Sequence, residues 1–334
     1  MAGQDPGATE RAQGSVLVTV LLLVSVLSVL AVAVMDDIGY GIKLAGNRGD
    51  AARAQAFALG AEDLAVTLLE AATRARPDRN TLQEPWAQGP LMFPLDDGFM
   101  RATVSDASNC FNVNSLVDGR VGEALQARSE AVERYKRLLE ALEFNDDEQT
   151  ALANALVDWI DTDGTARNQG AEDYHYLGLD PPYRAANGLV ADVTELRALR
   201  GYTVPVFRVI ARFVCAHETT ADSKINVNTL READAPLLVM LAGPALGVEN
   251  ARELIRQRSP DGYGDLDLFF LEAEALGTAP FPETSRRLVS LKTDVFDLKV
   301  LVVVGDMEAQ LHSLLRRSSA GTFAVAARRS GEAL

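Results

Sequence analysis

Ser15 to Met35, SVLVTVLLLVSVLSVLAVAVM, is a run of 21 residues without a charge. As a helix it is about 31 Å long, the thickness of a bilayer's hydrocarbon core. A helix that is apolar on every face has no side to offer water, so it must be covered by protein or by lipid. A secretory signal peptide has a shorter apolar core, about 7–15 residues, closed by a small-residue cleavage site. This run is longer and passes straight into Asp36-Asp37. The expectation is a single membrane span that stays on the chain. The short leader is nearly neutral, so the charge rule that orients spans does not choose a side.

The whole chain is acidic. Its 47 Asp and Glu against 32 Lys and Arg give a formal net charge of −15, which argues against a nucleic acid or an anionic membrane surface as partner, since these require a basic footprint. Carboxylate clusters able to hold a hard cation stay open. Two cysteines occur, Cys110 and Cys215. Outside the cytoplasm they would pair, closing a loop of about 105 residues; in a reducing compartment they would be two buried thiols. His175, His217 and His312 are far apart, with no P-loop, no GxGxxG after a strand and no nucleophile pattern. No enzymatic activity is expected.

Residues 36–76 read as an amphipathic continuation of the first helix. Phe57, Ala61, Leu64 and Leu68 recur at helical spacing with Ala58 and Ala65 beside them, while Arg53, Glu62, Asp63 and Glu70 take other faces. Pro77 ends it. Short strands follow over 91–95 and 99–105, a hairpin turned at Asp96-Asp97-Gly98. From 117 to 290 the pattern is helical, with helices expected over 124–142, 147–160 (capped at Asn145 or Asp146), 193–199, 206–213, 236–241, 249–258 and 262–271. Strands return over 295–304 and 309–315 around Gly305-Asp306, and 317–334 reads as a loose tail. The expected fold class is α+β: a long N-terminal helix packed on a small antiparallel sheet, with a large all-α domain inserted between its strands.

Two further features are unusual. Phe111-Asn112-Val113-Asn114-Ser115-Leu116 and Ile225-Asn226-Val227-Asn228-Thr229-Leu230 share one pattern. Asn and Ser/Thr bond nearby backbone amides, so the pair reads first as helix-start caps, with contact to a ligand as the second reading. The polar leader ends in Gly14 directly before Ser15, a junction similar to that of type IV prepilins, which are cut after the Gly and keep the apolar helix. Most pilins have Glu as the fifth residue after the cut; here it is Thr19. A carboxylate inside a bilayer is costly without a partner, and in pilins the partner is the terminal amine of a neighbouring subunit. Thr19 needs no such neighbour, which suits the end of a filament.

The Gly14/Ser15 junction, Thr19, the CFNVNSL and INVNTL pair and the helical insertion together resemble the general secretion pathway protein K family, the large minor pseudopilins of type II secretion systems, over about residues 11–316. The resemblance implies a pilin-like fold with a helix-hairpin-helix (SAM-like) insertion. The chain would divide into a leader (1–14), a transmembrane helix (15–35), a stem (36–76), a first part of the sheet (77–116), the insertion (117–290), the last part of the sheet (291–316) and a tail (317–334). It further implies a place at the tip of a periplasmic pseudopilus. The partners would be two smaller minor pseudopilins, a prepilin peptidase and the secretion system's inner-membrane components. The location would be the Gram-negative inner membrane, crossed once, with the C-terminal domain periplasmic. Ser15 departs from the bulkier residues often found after the cut.

Asp158-Trp159-Ile160-Asp161-Thr162-Asp163-Gly164, with Gly170-Ala171-Glu172-Asp173 downstream, is the richest carboxylate cluster. Ca²⁺ takes six to eight oxygens from flexible loops, and the spacing is not that of an EF-hand. On chemistry alone a solvated turn at a helix end competes with a metal site. The resemblance implies bound Ca²⁺, with Asp161, Asp163 and Glu172 as ligands, Asp173 next and Asp158 turned to the helix surface. Leu241 to Gly247 with the helix to Arg258 resembles a helix-hairpin-helix. A membrane-tethered DNA receptor is therefore the alternative function, which the acidic balance opposes; Arg252, Arg256 and Arg258 are expected on the solvated surface.

Overall fold

The computed structural model describes residues 7–120, 122–243, 245–276, 280–318 and 321–331, and the side chains of 7–15 are outside that description. The Gly14/Ser15 junction is thus defined only as helical backbone, and the leader's first six residues lie outside the described residues.

Helix α1 runs unbroken from Gly7 to Ala75. Its apolar stretch from Val16 is 0% buried within the protein. Thr19, Ser25 and Ser28 return their hydroxyls to the Val16, Leu22 and Val24 carbonyls at 2.9, 2.8 and 2.8 Å, which keeps these polar groups satisfied in an apolar medium. Further along, α1 meets the sheet through Ala54, Ala58, Ala61, Ala65 and Leu69. That stripe is one residue round from the expected one. Phe57 and Leu64 are 38% and 42% exposed, while Glu62, expected outside, is buried. A helix lying flat on a sheet needs small side chains along the line of closest approach, so alanines occupy it and the bulky groups stay out.

After α1 come β1 (Leu91–Leu95) and β2 (Gly98–Asp106), then the inserted region. It comprises β3 (Phe111–Asn112), β4 (Val117–Asp118), β5 (Gln126–Ala127), α2 (Ser129–Ala141), α3 (Asp146–Ile160), α4 (Asp173–Tyr176), α5 (Val204–Ile210) and β6 (Val214–Cys215). A second set follows: β7 (Ile225–Asn226), α6 (Ala235–Ala242), α7 (Val248–Gln257), α8 (Leu266–Ala275), α9 (Glu283–Arg286) and β8 (Val289–Ser290). The chain closes with β9 (Val295–Val304), β10 (Met307–Arg317) and β11 (Phe323–Ser330). The expected helix over 124–142 starts late because β4 and β5 pair as a small hairpin, and 193–198 is a 3₁₀ turn. The expected loose tail is largely β11, an edge strand paired with β10.

The main sheet has the order β1-β2-β9-β10-β11 and every pair is antiparallel. Strands β2 and β9 are direct neighbours, so residues 107–294 form an excursion whose two ends lie together. At that junction Asp106 accepts hydrogen bonds from Ser108 Oγ and Thr229 Oγ1, both at 2.5 Å, and from Thr293 Oγ1. Apolar packing divides the same way: one core joins α1 to the sheet, the other fills the insertion.

The direction of the excursion follows from contacts along α1. A Cβ on Gly305, in the β9–β10 turn, would sit 3.4 Å from Asp50. Ser313, midway along β10, donates to Glu62 at 2.6 Å. Just beyond the helix, Asn80 N donates to Leu291 O at 2.8 Å and Asn80 Oδ1 accepts from Thr293 N at 3.0 Å. The sheet therefore runs along the stem away from the apolar stretch, and the helical domain hangs from its far end.

Within the insertion the two Asn-Val-Asn motifs do the same work twice. β3 pairs in parallel with β6, and β7 in parallel with β8. The first Asn of each motif caps the turn behind it: Asn112 Oδ1 accepts from Asn114 N, and Asn226 Oδ1 from Asn228 N. The second grips a distant loop through both ends of its amide. Asn114 takes the N–H and C=O of Val190 at 2.8 and 2.9 Å; Asn228 takes those of Tyr263 at 2.6 and 3.0 Å. They are caps, as expected, and in addition cross-loop clamps.

Candidate metal centre

Helix α3 begins with a capping box, in which Asn145 Oδ1 accepts from Glu148 N at 3.0 Å and Glu148 returns a carboxylate to Asn145 N at 3.0 Å. Its last turn carries Asp158 and Asp161, three residues apart and so on one face. Asp161 ends the helix with extended backbone, φ −67° and ψ 163°. Two carboxylates at a helix C-terminus face the negative end of the peptide dipoles, an arrangement that calls for a cation.

The following loop folds back on that turn. Asp158 accepts from Arg167 N at 3.0 Å and is fully buried, which corrects its expected surface position. The surrounding turn explains it: Ala155, Leu156, Val157, Trp159 and Ile160 are buried too, so the end of α3 has no solvent side. A Cβ on Gly170 would come 2.0 Å from Asp158 Oδ2, so the loop closes only with glycine there. Glu172 then starts α4, with its carboxylate turned back toward the same spot.

Asp161, Asp163 and Glu172 each offer an oxygen within 4.8 Å of the others. With Ca²⁺–oxygen bonds of about 2.3–2.6 Å, one ion reaches all three. Asp161 Oδ1 and Glu172 Oε1 are buried and have no hydrogen-bond partner, a costly state that a cation relieves. The electrostatics agree. Burial, then repulsion from Asp163 and Asp158, pushes Asp161 up to about 6, and burial with repulsion from Asp158, Asp161 and Asp163 pushes Glu172 up to about 7. Asp158 is pushed up to about 6, mainly by burial. Arg167 is the nearby cation, its Nε 3.7 Å from Asp158 and 3.8 Å from Asp161. The donor set is all oxygen and fits a hard divalent ion such as Ca²⁺.

Asp173 does not join this group. It accepts from Arg184 Nη1 at 2.9 Å and Ala185 N at 3.0 Å, pinning the next loop. Asp158 is the residue that reasoning from the sequence set aside; its three-residue spacing from Asp161 was the available signal.

The other anticipated residues fall elsewhere. Cys110 and Cys215 form a disulfide. Because both sulfurs are bonded to each other, the nearby His217 does not complete a thiolate metal site. His175 is on α4, His217 in the loop after β6 and His312 on β10, where it pairs with Asp297 of β9. The α6–α7 hairpin turns through Gly243 and Gly247 at φ 89° and 64°. Arg252 pairs with Glu249, and Arg256 with Glu253 and Glu232. Arg258, expected in solvent, is partly buried and donates to the Val227 and Leu230 carbonyls. The hairpin presents neutralised cations and braces the second Asn-Val-Asn motif.

Family models described as type II secretion system (T2SS), protein K, match residues 109–219 and 225–289, which divide between the two Asn-Val-Asn halves of the insertion. The chain is 32% identical to the type II secretion system protein K of Pectobacterium carotovorum over 309 residues, 92% of this chain and 93% of that one. It is 31% identical to the protein of that name from Aeromonas hydrophila over 329 residues, 97% and 98% of the two. A chain in the crystal structure of the GspK-GspI-GspJ complex from the enterotoxigenic Escherichia coli type 2 secretion system superposes with a TM-score of 0.71 at 29% identity, over 84% of this chain and 96% of that one.

Proposed function

This chain belongs to the type II secretion system protein K family, and we propose that it serves there as the minor pseudopilin at the tip of the pseudopilus. In that role it initiates assembly and helps to export folded proteins across the outer membrane. It is made with a leader that a prepilin peptidase removes after Gly14. The apolar part of α1 then holds it in the Gram-negative inner membrane, crossed once, with the rest of the chain in the periplasm.

The observation that carries this reading is the position of the inserted domain beyond the far end of the stem, hung between β2 and β9. A filament built on parallel α1 helices has room for such a block only where no subunit lies above it. Thr19, in place of an acidic residue, supports the same position. The bulky side chains left outside the stem, Phe57 and Leu64, offer apolar surface to the α1 helices of neighbours. Two smaller minor pseudopilins are the proposed neighbours, and the similar chain in the GspK-GspI-GspJ complex supports that. Contacts with inner-membrane components of the machinery belong to the same reading.

Ca²⁺ is proposed as a structural ligand, held by Asp161, Asp163 and Glu172. When bound it supplies charge neutralisation and nothing catalytic. The role is that of a non-catalytic assembly subunit. The ion-paired arginines of the α6–α7 hairpin argue against the DNA-receptor alternative.

Two measurements test the proposal. Mass spectrometry of the membrane-extracted protein, produced beside a prepilin peptidase, is expected to give Ser15 as the first residue; another mature N-terminus overturns the processing step. Immunogold labelling against the inserted domain, on filaments grown by excess major pseudopilin, is expected at filament ends. Label along the shafts overturns the tip position.

A further inference from the structure

On the seam between the inserted domain and the end of the sheet lies an open groove of about 420 Å³. Lys224, Lys292, Arg316 and Arg317 line it, and among the described residues none of the four forms an ion pair. Elsewhere this acidic chain spends many of its arginines on carboxylates. The groove's own Asp222 is already held by Arg128 and Arg134. Burial first and then the Arg316 charge lower the His217 pKa, which disfavours its charged form. Asp294 is the remaining lining carboxylate, so the four cations are left in clear excess.

The walls are fixed before anything binds. Asn112 Nδ2 donates to the Thr219 and Ala221 carbonyls, both at 2.8 Å, and its Oδ1 accepts from His217 N at 3.0 Å. The Cys110–Cys215 disulfide lies directly behind, with Cys215 Sγ 3.4 Å from His217 Nε2. Across the groove Arg317 N donates to Asp294 O at 2.8 Å.

The type of anion follows from which donors remain. A compact phosphate is best held by converging backbone amides. Three of the lining amides are committed to other partners: Lys292 N to Ser290 Oγ at 3.0 Å, Ser318 N to Thr322 O at 2.8 Å and Ser108 N to Asp106 at 2.8 Å. The charge comes from four long side chains on three separate segments of the chain, Lys224, Lys292 and Arg316-Arg317, lining an open channel. That arrangement suits several carboxylates carried on an extended backbone. We propose that this groove binds an acidic, extended Asp/Glu-rich segment of a partner protein. On a chain of net charge −15, long-range repulsion from the acidic surface favours approach of such a segment at a positive seam like this one.

The test uses the full chain in neutral detergent micelles and a fluorescein-labelled peptide of alternating Glu and Ser, read by anisotropy. Binding is expected to weaken about tenfold or more in the Lys224→Gln, Lys292→Gln, Arg316→Gln, Arg317→Gln variant. It should weaken likewise between about 0.05 and 0.3 M salt. The charge-keeping Arg316→Lys, Arg317→Lys variant should bind as the unmutated chain does, and so should Arg101→Gln, Arg208→Gln, which removes two cations outside the groove. Unfolding midpoints measured alongside identify loss of fold, in which case Arg316→Gln alone is read for about a threefold loss. The proposal is overturned if the unmutated chain does not bind the peptide, or if the neutralised variant binds it equally. It is overturned too if inorganic phosphate at matched concentration displaces the peptide, or if phosphatidylglycerol vesicles bind and the peptide does not.

Discussion

Glu62 on the stem helix and Arg328 on the last strand are joined by a two-point ion pair, with Arg328 Nε 3.0 Å from one carboxylate oxygen and Nη2 on the other. Ser313 donates to the same carboxylate at 2.6 Å. Burial on its own would raise the Glu62 pKa, but the hydrogen bonds from Arg328 and Ser313 outweigh it and hold it below the ordinary value of 4.5. A carboxylate with a depressed folded pKa stabilises above its unfolded pKa and loses that contribution as pH falls through the folded one. Glu62→Gln is therefore expected to cost about 1–2 kcal/mol near neutrality. The gap from the unmutated chain should close in acid, as the pH falls below the ordinary value of 4.5 and through the depressed folded pKa. Chemical denaturation of the full chain in micelles across that range checks both; a gap that persists unchanged in acid rules out the ion pair as its source.

That contact also shows where the sequence misleads. A helical wheel assigns the buried face to the largest apolar side chains, which selects Phe57 and Leu64 and puts Glu62 outside. Close approach to a sheet instead selects Ala54, Ala58, Ala61 and Ala65, and a partner 266 residues away licenses burying the acid. The same limit applies to β11: Phe323–Ser330, FAVAARRS, is rich in small residues and carries no alternating pattern, and only pairing with β10 makes it a strand. Elements set by local chemistry were legible. These include the helix stop at Pro77, the Asn145 cap, the β1–β2 and β9–β10 hairpins and the excursion between strands. At the candidate metal centre the carboxylate cluster was visible in the sequence, and the choice of Asp161, Asp163 and Glu172 came from the family resemblance. The burial of Asp158 and the diversion of Asp173 to Arg184 depend on the loop's path, which no local pattern records.

The Cys110–Cys215 bond spans 105 residues and ties the start of the insertion to the end of its first half. Cross-linking so long a loop restricts the unfolded chain, so Cys110→Ala with Cys215→Ala is expected to cost about 2–5 kcal/mol. Thiol labelling of denatured, unreduced protein should find no free thiol; two free thiols would contradict the bond.

Two glycines in one loop should respond differently. A Cβ at Gly164 meets nothing within 4 Å, whereas at Gly170 it would come 2.0 Å from Asp158. Gly164→Ala is expected to be near neutral. Gly170→Ala should cost about 1–3 kcal/mol through the displaced loop and weaken Ca²⁺ binding, since Glu172 follows two residues later. Calorimetry and thermal unfolding of both variants test this; equal behaviour would mean that the loop does not close on Asp158.

The acidic cluster makes the sharpest demand on pH. Asp158 and Asp161 are raised to about 6 and Glu172 to about 7 from ordinary values of 3.8, 3.8 and 4.5. A carboxyl with a raised folded pKa holds a proton that the unfolded chain releases, so its contribution is full below the unfolded pKa and is lost as pH rises through the folded one. Metal-free protein should therefore lose stability from about pH 4 to about pH 7. Ca²⁺ needs the same groups deprotonated, so its affinity should rise across that window, with protons released on binding. At about a hundredfold excess over Kd the ion returns about 2.7 kcal/mol. Unfolding midpoints are thus expected to rise with Ca²⁺ at about pH 7.5 and to change little at about pH 5. Asp161→Asn with Glu172→Gln should abolish the Ca²⁺ response while making the metal-free protein more stable at the higher pH, because the mutual repulsion is gone. Identical midpoints with chelator and with millimolar Ca²⁺ at the higher pH would remove Asp161, Asp163 and Glu172 as a metal site.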